Sequence, residues 1–224
     1  MRNLSENIWL LTYPLRVFGA DIIRNVTVIR LSSGNLLIHS TGPFTTSDTK
    51  AIRQLGTPSW LVESMLDHDT FSREGQSAFP EIPYYAPPGF KNPSGLPVQS
   101  LAEAPLEWSG EIDILIIDGV PSFGEYVFLH RSSRTLIVTD LIFNYVKAPS
   151  LWTKLLLYPA LGFHHAPGMS KRFRGAIKEK AAFRSSLEQI MTWDFDRIIV
   201  GHGQVIESGG KNESHMMFQE LGFL

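Results

Sequence analysis

The chain has 224 residues, 43% of them hydrophobic and 19% charged, with a formal net charge of −2 and a pI near 6.4. That length supports one large α/β domain or two small ones. The composition excludes a disordered chain, and the lack of a concentrated Lys/Arg excess argues against nucleic acid as a partner. Cysteine is absent, which rules out disulfides, thiolate-held zinc and a cysteine nucleophile; a bound metal must rest on His, Asp, Glu or main-chain oxygen.

In chain order, residues 1–5 lack the basic start and apolar run of a signal peptide. Residues 8–13 read as a strand ended by Pro14, and residues 26–31 and 36–40 as a hairpin around the turn cluster Ser32-Ser33-Gly34-Asn35. After Gly42-Pro43, residues 46–55 start with Thr and Ser capping candidates and read as a helix. Residues 60–65 are a short buried strand, followed by Asp67-His68-Asp69-Thr70 and a short helix over 71–79. The Pro/Gly-rich stretch 80–97 is read as a surface connection holding a short strand at 84–86, not as a linker between domains.

The second half resumes with strands at 112–118, 125–130 and 135–140, the last two joined by a turn at 131–134. Residues 151–163 and 169–193 are predicted mainly helical, the second split near 178–181. Within it, the basic stretch from Lys171 to Lys180 reads as a solvated helix face. The apolar run 151–163 carries Lys154 and Pro159 and is too short to span a bilayer. A last buried strand at 198–200 leads into Gly201-His202-Gly203, and a short helix closes the chain. The order, strands then helices twice over, favours two sheets covered by helices in a single domain over residues 1–224. The expectation is a soluble cytoplasmic protein with no membrane span.

Chemistry-bearing side chains fall at the ends of the buried strands: Asp67 and His68 after 60–65, Asp140 at the end of 135–140, and His202 after 198–200. Loops converge at such ends in α/β folds, and imidazole with carboxylate suits zinc, iron or manganese. Each residue also has a plainer reading: Asp67 or Asp69 as a helix cap, Asp140 as an acceptor for turn amides, His202 as an incidental turn residue.

The local phrases carry a resemblance. Leu36-Leu37-Ile38-His39-Ser40, the run from His130 to Phe143 that ends Thr139-Asp140-Leu141-Ile142-Phe143, and the run from Trp193 to Gly203 resemble a divergent branch of the metallo-β-lactamase superfamily. The resemblance extends from Ile8 to about Ile206 and implies a four-layer αββα sandwich. The superfamily's first metal motif is His-x-His-x-Asp-His; here the matching residues are Glu63, Met65, Asp67 and His68, so both leading histidines are missing. The region that normally supplies the next histidine reads Gly119-Val120-Pro121-Ser122. Asp140 matches the bridging aspartate and His202 the final histidine. The resemblance therefore implies loss of the first metal position and one divalent metal at the second, zinc before iron or manganese, held by Asp67, His68, Asp140 and His202. A degenerate, metal-free site is the alternative.

The other histidines are weighed against structural roles. His39 is a candidate to orient a ligand from outside the coordination sphere, and His164 and His165 are candidates to replace the lost ligands. His130 is read as structural and His215 is assigned no role. The aromatics Tyr84, Tyr85, Tyr145, Trp152 and Phe163 are candidates for an apolar pocket, with ordinary packing favoured for most of them. The leading functional expectation is a metal-assisted hydrolase of a small or medium organic molecule, with Asp67 or Asp69 as proton acceptor. Redox or lyase chemistry on iron, or a non-catalytic binding or scaffold protein, are the rivals.

Overall fold

The computed structural model describes residues 1–17, 19–146 and 166–224. The eleven strands and five α-helices of the described residues form two mixed sheets with helices outside them. The first sheet has seven strands in sequential order: β1 (Arg2–Ser5), β2 (Ile8–Val17), β3 (Ala20–Arg30), β4 (Asn35–His39), β5 (Thr57–Val62), β6 (Tyr84–Ala86) and β7 (Gln99–Ser100). It is antiparallel from β1 to β4 and parallel from β4 to β7. The second sheet has four strands: β8 (Ile112–Ile116), β9 (Tyr126–His130), β10 (Thr135–Ile137) and β11 (Arg197–Ile199), in the spatial order β11-β10-β9-β8. Only the β10–β11 pair is parallel.

Period-two alternation decides which side chains fill which layer. On β4, Leu36 and Ile38 point outward into a cluster with Val26, Val28, Leu61 and Ile52, the last from α1 (Thr46–Arg53). Leu37 points the other way, into the core between the sheets, beside Ile8, Ile29, Trp60 and Val62. Phe128, Ile137 and Ile199 fill the same core from the second sheet. That core centres on Trp108, whose ring lies 6.0 Å from Trp60, 5.7 Å from Tyr85 and 6.1 Å from Phe128. The far face of the second sheet is covered by α3 (Lys171–Ala176), α4 (Lys180–Thr192) and α5 (Gly210–Glu220), through Phe173, Phe183, Leu187, Ile190 and Phe218. The result is the four-layer αββα order.

Local signals explain several boundaries. Thr45 and Asp48 form a reciprocal capping box on α1, with Asp48 N–H donating to the Thr45 hydroxyl at 3.1 Å and Thr45 N–H to the Asp48 carboxylate at 2.9 Å. α2 (Ser72–Ala78) has no side-chain cap on its N-cap residue, Phe71, so neither Asp67 nor Asp69 caps it. Pro14 does not end β2, which runs on to Val17 with Pro14 opposite Ile23. β1 covers β2 only as far as Leu10, so Pro14 sits where β2 is the sheet edge and a missing N–H breaks no ladder. For the same reason β3 starts at Ala20, six residues before the hairpin strand predicted from Val26. Among the described residues no helix is long and apolar enough to cross a membrane.

Candidate metal centre

Three loops bring chemistry to one point. His68 follows β5, Asp140 follows β10 and His202 follows β11, so the first sheet supplies one side chain and the second sheet two. Each loop is braced by buried hydrogen bonds. Glu125 lies just before β9, and its carboxylate accepts from the backbone N–H of Thr139 at 2.7 Å and of Asp140 at 3.1 Å. The hydroxyls of Ser64 and Thr139 meet at 2.6 Å, joining the β5 and β10 loops. Asn25, on β3, donates through Nδ2 to the carbonyls of Val200 and Gly203 at 2.8 and 2.9 Å, and its own N–H reaches the Gly201 carbonyl at 2.9 Å. The two glycines of Gly201-His202-Gly203 are needed sterically. A Cβ on Gly203, at φ +114°, would lie 2.3 Å from the Asn144 carbonyl oxygen, and one on Gly201 would lie 2.9 Å from that of Thr139.

The converging atoms are His68 Nε2, His202 Nε2 and Asp140 Oδ1. His68 Nε2 stands 3.1 Å from His202 Nε2 and 3.5 Å from Asp140 Oδ1, and His202 Nε2 stands 3.6 Å from the same oxygen. All three residues are buried, and Asp140 Oδ1 has no hydrogen-bond partner among the described residues. Phe143 stacks on the His202 ring with centroids 5.7 Å apart. Burial holds His202 down at about 4, reinforced by the neighbouring His68, while Asp140 pulls the other way. The His68 imidazole is lowered well below its usual value by burial and then by Arg24. Asp140 is raised by burial, against the pull of His202, Arg172 and Arg24. Glu125 is pushed up to about 8 by burial and by Asp140. Near neutral pH both rings are therefore neutral, each with one protonated and one lone-pair nitrogen.

Beside this group lies a buried cation. Arg24, on β3, is 1% exposed. Its Nη2 donates to Glu63 Oε1 at 2.6 Å and to the His68 carbonyl at 3.1 Å, Nε donates to the Thr41 carbonyl at 3.2 Å, and Nη1 donates to His68 Nδ1. Glu63 Oε1 also accepts from the Thr41 N–H at 2.7 Å and from the Thr41 hydroxyl, whereas Glu63 Oε2 is without a partner. Burial raises the Glu63 carboxyl, and the Arg24 charge works against that rise.

His68, Asp140 and His202 are thus three of the four expected ligands brought together; they form a group that could hold a metal ion. The fourth, Asp67, is exposed, and its carboxylate pairs with Arg172 of α3. Asp69 accepts at its carbonyl from Ser72 N–H at 3.0 Å, at the start of α2. His39 is buried edge-on against Phe128, with Nε2 unpartnered, and is not in the group of three. His130 bonds the Ser133 and Ser132 hydroxyls of its own turn, and His215 is exposed on α5. His164, His165, Trp152 and Phe163 lie outside the described residues. Tyr84 and Tyr85 are taken up in core packing, as is Tyr145 with Ile22 and Phe143.

Sequence reasoning missed Arg24, Asn25 and Glu125 as parts of the site. The available signal was a charge and an amide inside the apolar run Ile22-Ile23-Arg24-Asn25-Val26. Polar residues buried in a strand need partners across the fold.

The sequence matches the family described as Domain of unknown function (DUF4336) over residues 5–173. The chain belongs to that family. The DUF4336 match includes His68 and Asp140, and His202 lies beyond it. No curated protein matches the chain. Solved structures place this DUF4336 protein in the metallo-β-lactamase fold. A metallo-β-lactamase from Pontibacter korlensis superposes with a TM-score of 0.63 at 11% identity, covering 96% of each chain. One from Hirschia baltica gives 0.62 at 13%, covering 94% of this chain and 93% of the other. FIM-1 from Pseudomonas aeruginosa, in its mono-zinc form, gives 0.63 at 13%, covering all of this chain and 95% of the other.

Proposed function

We propose that this DUF4336 protein is a metal-dependent hydrolase of a small or medium organic molecule, built as one domain around a single divalent ion held by His68, Asp140 and His202. One observation carries the reading. Ligands about 2.0–2.2 Å from a tetrahedral zinc lie about 3.3–3.6 Å from one another, and the three donor atoms here are 3.1, 3.5 and 3.6 Å apart. That spacing fits one face of such a tetrahedron. Asp140 Oδ1, unpartnered among the described residues, and the neutral His202 ring, with Nδ1 facing the Ile23 carbonyl, fit the donor chemistry. A set of two histidines and one carboxylate suits zinc first, and iron or manganese by the same donors. FIM-1, similar in fold, holds a single zinc in the structure compared.

Such an ion supplies Lewis acidity and activation of water near neutral pH. The chain's own groups do the rest. His202 is oriented by its Nδ1–H, which donates to the Ile23 carbonyl at 2.7 Å, and Asp140 by the Glu125 bonds to its backbone. Asp67, next in the chain to His68 and held at the protein surface by Arg172, is the proton acceptor in this reading, with Asp69 the alternate.

Protein purified without added metal is expected to carry about one equivalent of zinc, iron or manganese per chain by elemental analysis. His202→Ala and Asp140→Ala should each bring that to near zero. Metal content unchanged in both variants would overturn the assignment.

A second reading, a binding or scaffold protein, is favoured by one observation. His68 and His202 are joined to each other, to Arg24 and to the Ile23 carbonyl in a hydrogen-bond chain that is complete without an ion. Near-zero metal in the wild-type protein would decide for it.

A further inference from the structure

We propose that Arg24 and Glu63 compete for Nδ1 of His68, and that the free oxygen of Glu63 is the acceptor that makes His68 a metal ligand. The inference rests on the metal-binding reading above and concerns a positioning residue rather than a ligand.

The two histidines are not equally ready. His202 Nδ1 faces a carbonyl, an obligate acceptor, so that nitrogen carries the proton and Nε2 turns its lone pair to the centre. His68 Nδ1 faces Arg24 Nη1, an obligate donor. In the neutral His68 ring the proton must then sit on Nε2, where it points at the lone pair of His202 Nε2, 3.1 Å away. A ring in that tautomer has no lone pair for a metal at Nε2.

To serve as a ligand, His68 must move its proton from Nε2 to Nδ1, and the N–H so formed needs an acceptor. Metal-bound histidines generally find one in a carboxylate or a carbonyl. One lies at hand. Glu63 Oε2 is 4.0 Å from His68 Nδ1, completely buried and without a partner among the described residues, although an unpaired buried acceptor is costly. Its sister oxygen is already fully engaged by Thr41 and Arg24. Arg24 can give up Nδ1 and keep its bonds to Glu63, the Thr41 carbonyl and the His68 carbonyl. The exchange shifts one proton between two nitrogens of one neutral ring, so the protein's charge does not change. It gives partners to two orphaned oxygens at once, Glu63 Oε2 through the new N–H and Asp140 Oδ1 through the ion.

The Glu63→Gln variant separates the roles. The three donors on Oε1 demand an oxygen there, so the amide would turn its NH2 toward His68 Nδ1 and hold the ring in the tautomer that cannot bind. By chelator competition on the full chain, zinc affinity should fall about 10–100-fold. Should E63Q fold poorly, nitrogen-15 spectra of the wild-type histidine side chains give the same test without a variant. His68 is expected with its proton on Nε2 in metal-free protein and on Nδ1 after zinc is added. A proton on Nδ1 already in metal-free protein, or E63Q affinity within about twofold of wild type, overturns the inference while leaving the metal site in place. A wild-type chain that takes up no zinc overturns both.

Discussion

Arg24→Met is expected to destabilise the fold by about 3–5 kcal/mol, the cost of breaking a buried ion pair by removing one partner. Arg24 is 1% exposed and Glu63 completely buried, so water cannot replace the lost charge. The Thr41 and His68 carbonyls lose donors at the same time. Glu63→Gln on top of Arg24→Met should recover at least about half of the loss. It removes the stranded charge while an amide oxygen still accepts from Thr41. Urea unfolding of the three proteins tests this, and a loss below about 1 kcal/mol for the single variant would show that the pair is not what holds this corner together.

The second large effect is on pH dependence, through His39. Burial, and then the Arg24 charge, lower its imidazole from the usual 6.5 to about 3. The unfolded chain therefore binds a proton between pH 6.5 and 3 that the folded chain refuses. The contribution is fully present above 6.5 and is lost as pH falls through that window, at about 1.4 kcal/mol per pH unit. Glu125 is pushed the opposite way, to about 8, so the total slope of the wild type mixes opposing terms. A comparison with His39→Gln isolates one of them. Between pH 6 and pH 4 the wild type should lose about 2–3 kcal/mol more than the variant. Parallel stability curves for the two proteins would mean that His39 takes its proton inside the folded state.

The elements that form continuous apolar runs, buried on both faces, are legible from the sequence. β4 and β9 are set by residues whose faces are fixed by the two cores, and the short strand at Tyr84–Ala86 was legible inside a Pro/Gly-rich stretch. Those that were missed lack a local signal. β1 reads Arg-Asn-Leu-Ser and β7 is only Gln-Ser, and both exist because a neighbouring strand offers an edge. Pro14 reads as a stop because proline usually is one; only the length of β1 reveals that β2 is an edge at that point.

The candidate site divides in the same way. Asp140, His68 and His202 were legible because each closes an apolar run that reads as a buried strand. That Asp67 turns to Arg172 was not, since its partner lies 105 positions away. Arg24 was hidden by a strand boundary placed at Val26, and its meaning depends on Glu63, 39 positions on. Long-range electrostatic pairing leaves no periodic trace in a sequence.

The bonds that set the site are also among the longest-range in the molecule. His68 and His202 meet across 134 positions, and Asn25 reaches the carbonyls of Val200 and Gly203 across 175 and 178. Contacts of such separation form only after loop-closure entropy has been overcome. The three donor atoms can meet only where both sheets are docked and β11 lies beside β10. A damaging change at Trp108, far from the three donor side chains in sequence, would reach them by loosening the layer between the sheets. Whether the centre can assemble is thus a readout of whether the whole sandwich has closed.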